Sequence, residues 1–288
     1  MTTQAIQATP THQTAVTHFV EADGIRLAYR RFGKEQGIPL VFFQHFAGNM
    51  ENWDPKITDG FAEDREVILF NNAGVASSDG EVPTTIEGMA RHAINFIEAL
   101  HETQVDLFGF STGGLIAQEV AIKRPGLVRR LVLVGSAPRG GVGMATLTPE
   151  FQALLAKKYE SKDSFLIDSL FGPSEASQAA GREFVLRLHA RSGNRDVDVN
   201  EKVAPAQTAA LAAWGAPHSD SYNYLKDIKQ PVLVVSGSHD VIFYTVNAYI
   251  LQQNLPNAQL ILYPDSNHGP QYQYPELFLK HVTWFLQG

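Results

Sequence analysis

The run Gly109-Phe110-Ser111-Thr112-Gly113-Gly114 sets a serine between two glycines, each two positions away from it. Side chains at those two positions would collide with neighbouring backbone if the serine sat on a tight, strained turn, and glycine removes the clash. A strand-like run leads into the motif and a helix-like segment leaves it. Ser111 therefore falls at a helix N-terminus, where unpaired N–H groups and the helix dipole favour developing negative charge. The chemistry that suits such a position is nucleophilic attack by a hydroxyl. A hydroxyl is a weak nucleophile unless a base takes its proton and a third group orients the base. His268, within Pro264-Asp265-Ser266-Asn267-His268-Gly269, is the candidate base, and Asp240, within Gly237-Ser238-His239-Asp240, is the candidate acid behind it. Asp265 is a rival for the acid, but the turn around it suits a local backbone-capping role instead. Acyl transfer also passes through an oxyanion, which needs preorganised N–H donors. One is expected from the backbone of Thr112, and the other from the loop Gln44-His45-Phe46-Ala47-Gly48-Asn49.

These residues need a scaffold that brings several loops to one edge. Short apolar runs alternate with helix-like segments, which predicts a mostly parallel sheet covered by helices on both faces. Residues 16–21 and 26–31 flank a turn at Asp23-Gly24 and read as early strands, and 40–44 is the continuous apolar run of a strand buried on both faces. Further strands are predicted over 66–70, 105–108, 131–134, 232–236 and 260–263. Met89, Ile94, Ile97 and Leu100 recur at helical spacing, and 115–122 reads as a helix stopped near Pro125-Gly126. Helices are also predicted over 245–253 and 275–286.

Between 139 and 228 strand-like runs disappear, and several helices take over, including 149–158 and 181–190. The expected organisation is an α/β core over 1–138 and 229–288, with 1–15 as a flexible leader, interrupted by a helical cap at 139–228. Gly140, Gly141 and Gly143 would form its hinge. Such a cap would roof a site at the carboxyl ends of the strands, where open α/β sheets bind ligands. Ser111, Asp240 and His268 each follow a strand, in an order such triads take on this kind of sheet. Phe165, Phe171, Phe184 and Trp214 are expected mainly as cap core, with some lining an apolar cavity, and Trp214-Gly215-Ala216-Pro217 reads as a loop.

On the serine turn, the 44–49 loop leading to Trp53, Asn72-Ala73-Gly74-Val75-Ala76-Ser77 and the Asp240 and His268 turns, the chain resembles the α/β-hydrolase superfamily. The resemblance runs from about residue 20 to 286, and it is greatest to bacterial esterases and related small serine hydrolases with a helical cap. It implies the α/β-hydrolase fold with a Ser111, His268 and Asp240 triad. The oxyanion loop of those relatives usually reads His-Gly-aromatic. Aligned through Gly48-Asn49 and Trp53, this chain has Gln44-His45-Phe46 there, so Phe46 inherits the second donor role through its N–H. His45 in place of glycine is a departure, as is the lack of an acidic residue in Asn71-Asn72-Ala73-Gly74.

Composition narrows the remaining classes. The 288 residues, 44% of them hydrophobic, supply one substantial core. A net charge of −7 without blocks of like charge gives no reason to expect nucleic acid or an anionic membrane as a partner. The absence of cysteine excludes disulfides, thiolate metal sites and cysteine nucleophiles. The ten histidines show no metal-ligand spacing, so neither metal nor cofactor is expected. Met1 to Gln13 has neither the basic start nor the apolar stretch of a secretory signal, and no run of ~18 apolar residues offers a membrane span. The expectation is a cytoplasmic enzyme hydrolysing a small to medium carboxylic ester through an acyl-enzyme. Lactone opening, C–C hydrolysis and cofactor-free perhydrolysis by the same triad remain open. So does a non-enzymatic ligand receptor on the same scaffold. Epoxide or haloalkane hydrolysis uses an aspartate nucleophile in similar folds, and Ser111 argues against it.

Overall fold

A computed structural model describes residues 10–288. Among them, the strands β1 (His18–Ala22), β2 (Ile25–Gly33), β3 (Leu40–Phe43), β4 (Glu66–Phe70), β5 (Val105–Phe110), β6 (Val128–Val134), β7 (Val232–Gly237) and β8 (Ala258–Tyr263) form one sheet. Its order is β1-β2-β4-β3-β5-β6-β7-β8, with β1–β2 and β2–β4 antiparallel and every other pair parallel. The helices are α1 (Pro55–Ala62), α2 (Ile86–Ala99), α3 (Thr112–Lys123), α4 (Pro149–Ala156), α5 (Lys162–Leu170), α6 (Glu175–Leu188), α7 (Val203–Gly215), α8 (Val246–Asn254), α9 (Pro270–Gln273) and α10 (Pro275–Gln287). None is long and apolar enough to cross a membrane.

The sheet register explains why the middle strands are apolar at every position. Ile68, Val41, Leu107, Leu131 and Val232 lie side by side across five strands, and all belong to the core shared with α2 and α3. One residue on, Leu69, Phe42, Phe108, Val132 and Leu233 form the next row and face the core shared with α1 and α10. Alternation along each strand feeds two cores, so neither parity can be polar. Phe42 and Phe108 stack with centroids 4.7 Å apart, and Trp53 meets both edge-on. The edge strand β1, by contrast, is mostly exposed.

Several sequence expectations shift. The strand expected over 105–108 runs on to Phe110, because Gly109 and Phe110 keep the ladder with Leu133 and Val134. Residues 1–9 of the expected leader lie outside the described residues. Residues 10–15 are held against the core, with His12 and Ala15 buried. Between β6 and β7 lie α4 to α7 with no strand. Trp214 sits not on a loop but on the last turn of α7, packed against Tyr224 and under the Arg139 guanidinium. These three side chains help line a cleft of about 320 Å³ against the start of α2. Of the glycines expected as a hinge, Gly140 donates its N–H to Trp214 O and Gly141 to Pro138 O, while Val142 between them and Gly143 exchanges two hydrogen bonds with the Asn247 side chain. A Cβ on Gly140 would lie 2.4 Å from Ser221 Oγ, so close approach is what that position demands.

His12 carries a consequence for stability. Its Nδ1 pairs with Thr58 Oγ1 at 2.9 Å, and its backbone N–H donates to Asp59. Burial, then the charges of Arg30, Arg191 and Arg195, pull the imidazole down to about 3 from 6.5. The unfolded chain therefore binds a proton that the folded chain refuses, and stability is complete above about 6.5 and lost as pH falls towards 3. Between pH 7 and pH 4.5 this one group should remove about 1–3 kcal/mol. Urea unfolding midpoints across that range should fall more steeply for the wild type than for His12→Asn. Parallel pH profiles would remove His12 from the acid response.

Candidate active site

Ser111 stands between the end of β5 and the first turn of α3 with φ 55 and ψ −122. A non-glycine residue there is strained, at a cost of order 1–3 kcal/mol, and persists only when its surroundings over-determine it. The determinants are on either side. A Cβ on Gly113 would lie 1.9 Å from Phe43 O, and one on Gly109 would lie 2.6 Å from Gly113 O. Only bare backbone lets α3 dock this tightly against β3 and β5, and the serine between is forced into the turn. Its N–H donates to Val134 O at 2.8 Å, which fixes it beside the end of β6.

Asp240 follows β7 in a tight turn. Its Oδ1 accepts the N–H groups of Ile242 and Phe243, both at 2.9 Å, and Thr245 Oγ1 accepts its own N–H while donating to Gly237 O. The remaining oxygen, Oδ2, meets His268 Nδ1 at 2.7 Å. Burial alone would raise this carboxyl, but the His268 ring and the two N–H donors outweigh it and hold the group below the ordinary carboxylate range. The carboxylate fixes the tautomer, since it can only accept. In the neutral ring the proton therefore sits on Nδ1 and the lone pair on Nε2.

His268 reaches back from the loop after β8, over the ends of β7 and β6. A Cβ on Gly135 would lie 3.1 Å from its ring, and Gly135 is the next residue after the Val134 that holds Ser111. Nε2 is buried and has no partner among the described residues, and the Ser111 side chain does not cap α3. The imidazole is flanked by Phe110 and Phe243, with centroids at 5.2 and 5.5 Å. Leu170, at the end of α5, accepts the Gly269 N–H through its carbonyl and touches the same turn.

Asp265 lies elsewhere. Its Oδ2 accepts from Ser174 Oγ at 2.5 Å, at the start of α6, rather than capping its own turn. It holds the intervening helices to the His268 loop and does not face the imidazole's paired nitrogen.

The 44–49 loop is held at nearly every polar group. Gln44 Oε1 accepts the His45 N–H, Gln44 Nε2 donates to Asn49 O, and His45 O accepts from Gly48 N–H. His45 Nδ1 donates to Phe46 O at 2.9 Å, and Ala47 N–H donates to Gln207 Oε1 at 2.6 Å. Among the described residues the Phe46 N–H has no acceptor, and neither does the Thr112 N–H at the first position of α3. Both expected donors are thus free. His45 braces the loop. Burial above all lowers its imidazole to about 4, so it stays neutral at physiological pH. Asn71 takes up the support expected of an acidic residue: Oδ1 accepts the Met50 N–H, and Nδ2 donates to Asp196. Among the described residues no three histidine, aspartate or glutamate side chains cluster as metal ligands would.

Sequence reasoning missed Gln207, Ser174 and the N–H pair under Asp240. The last had a signal, because an aspartate after a strand commonly accepts the N–H groups two and three residues on.

Residues 38–275 match the family model described as alpha/beta hydrolase fold. Among solved structures, the alpha/beta hydrolase fold protein from Chitinophaga pinensis is 39% identical, with a TM-score of 0.90 over 96% of this chain and 99% of that one. Est816, an N-acyl homoserine lactone degrading enzyme, is 25% identical, with a TM-score of 0.72 over 93% and 100%. Among characterised sequences, the poly(3-hydroxyalkanoate) depolymerase of Ectopseudomonas oleovorans is 29% identical, covering 88% of this chain and 87% of its own length.

Proposed function

The chain belongs to the α/β-hydrolase family, and from that premise we propose that it hydrolyses a small to medium carboxylic ester through an acyl-enzyme on Ser111. The observation that carries the reading is a strained serine at the end of β5 together with a histidine, packed on the adjacent Phe110, whose Nδ1 is bonded to Asp240 and whose Nε2 is free. His268 Nε2 takes the Ser111 proton as Oγ attacks the carbonyl carbon. The resulting oxyanion is received by the Phe46 and Thr112 N–H groups at the positive end of α3. His268 then protonates the departing alkoxide. Water repeats the sequence on the acyl-enzyme, giving its proton to His268, and the acid leaves as Ser111 is re-protonated. The helical segment 139–228 acts as a cap, and no cofactor takes part.

The apolar side chains of Phe110 and Phe243 packed on the imidazole support the choice of an apolar acyl group. Each added methylene that is buried contributes about 0.8 kcal/mol, so kcat/KM should rise about fourfold per methylene until further carbons stay in water. Assaying p-nitrophenyl esters from acetate to decanoate checks this. A lactone is an internal ester open to the same attack, and the similarity to Est816 is the reason to assay an N-acyl homoserine lactone beside them. Tight binding of these compounds without turnover would instead make the protein a ligand receptor.

A further inference from the structure

We propose that Gln207 is a positioning residue that sets the Phe46 N–H for the oxyanion, and that α7 thereby makes the donor dependent on the seating of the helical segment. This rests on the acyl-enzyme reading above. Two peptide units matter. The unit joining His45 to Phe46 presents the free N–H, and its carbonyl is tied back to Gly48 N–H at 3.1 Å. The unit joining Phe46 to Ala47 is clamped at both ends, its carbonyl by His45 Nδ1 and its N–H by Gln207 Oε1. His45 belongs to the loop itself, so Gln207 supplies the outside anchor of that clamp.

The loop has reason to need it. Ala47 is held at φ 51, a left-handed conformation that an L side chain resists. Rotating that peptide to relieve the strain would break both clamping bonds and move the His45 ring. The winding leaves no slack, since a Cβ on Gly48 would already lie 2.5 Å from Gln44 Cγ and 2.9 Å from His45 Cε1. A rotation at Ala47 therefore carries into the neighbouring unit and turns the Phe46 N–H.

Gln207 is also out of character for its helix. It is 3% exposed within the alanine-rich α7 sequence VAPAQTAALAAWG. A buried amide is unfavourable unless hydrogen-bonded, and this one faces a backbone N–H on the opposite body of the fold.

The test uses the full chain with Gln207→Met, similar in length but lacking the acceptor, and Gln207→Ala, which has the best helix propensity. The readouts are kcat and KM on p-nitrophenyl acetate, the inhibition constant of a trifluoromethyl ketone, and the melting temperature. The ketone's serine adduct carries an oxyanion, so its affinity reports the hole directly. Removing a whole oxyanion donor lowers kcat ~10²–10³-fold, and misaiming one should lower it about tenfold or more. Both variants should lose kcat and ketone affinity by similar factors, with KM within about twofold. A lowered melting temperature with unchanged kcat and ketone affinity would reduce Gln207 to a packing role and overturn the proposal. So would a raised KM with unchanged kcat, which would place the amide on the substrate. If the wild type neither turns over the ester nor binds the ketone, the acyl-enzyme reading itself fails, and this inference falls with it.

Discussion

Ser111→Ala should lower kcat ~10⁴–10⁶-fold while leaving KM and the melting temperature almost unchanged. Alanine keeps a Cβ, so the strain at φ 55 stays as it is, and the residual rate comes from the Phe46 and Thr112 donors. Ser111→Gly sharpens the prediction. Glycine adopts this backbone region without penalty, so that variant should be equally inactive yet more stable than the wild type by about 1–3 kcal/mol. A nucleophile kept on a strained turn has this signature: removing it frees stability that the fold had committed to holding it. Steady-state kinetics beside urea unfolding would check both halves. A Ser111→Ala enzyme with more than a tenth of wild-type activity would take the serine out of the reaction.

Asp240→Asn should lower kcat about 10³–10⁴-fold, whereas Asp265→Asn should stay within a few-fold of the wild type. The asparagine can still accept the Ile242 and Phe243 N–H groups through its carbonyl oxygen, so the turn after β7 should survive. What changes is the atom facing His268 Nδ1, where an N–H₂ donor replaces an acceptor. The imidazole must then place its proton on Nε2, where the serine needs a lone pair. Asp265 is bonded to Ser174 instead, so its loss loosens α6 against the His268 loop without touching the imidazole. Comparing the two variants on one ester, with circular dichroism to check the fold, decides between them. A crippled Asp265 variant beside a nearly normal Asp240 variant would reverse the assignment.

The parts legible in the sequence were those fixed by local sterics. Gly109 and Gly113 marked the serine turn because a Cβ at either would strike backbone, and that demand is met within a few residues. The order of apolar runs gave the sheet because each central strand must fill two cores at once. Helix ends were read less well. The Trp214-Gly215-Ala216-Pro217 stretch looked like a loop, yet α7 continues to Gly215 because its alanine-rich run favours helix up to the residue before the one that proline restricts. What could not be read were bonds between distant parts of the chain. Gln207 meets Ala47 across 160 positions, and Ser174 meets Asp265 across 91. Neither leaves a local pattern, since each depends on how α6 and α7 settle on the core.

The central claim is that Ser111 forms a covalent bond to carbon or phosphorus in this site, and intact-protein mass spectrometry after treatment with a fluorophosphonate tests it most directly. The wild type should gain one phosphonyl group, mapped by peptide sequencing to Ser111, and lose esterase activity in step with the labelled fraction. Ser111→Ala should gain none, and Asp240→Asn should label far more slowly. An unlabelled wild type that still cleaves esters, or a label on another residue that accounts for the lost activity, would contradict the account.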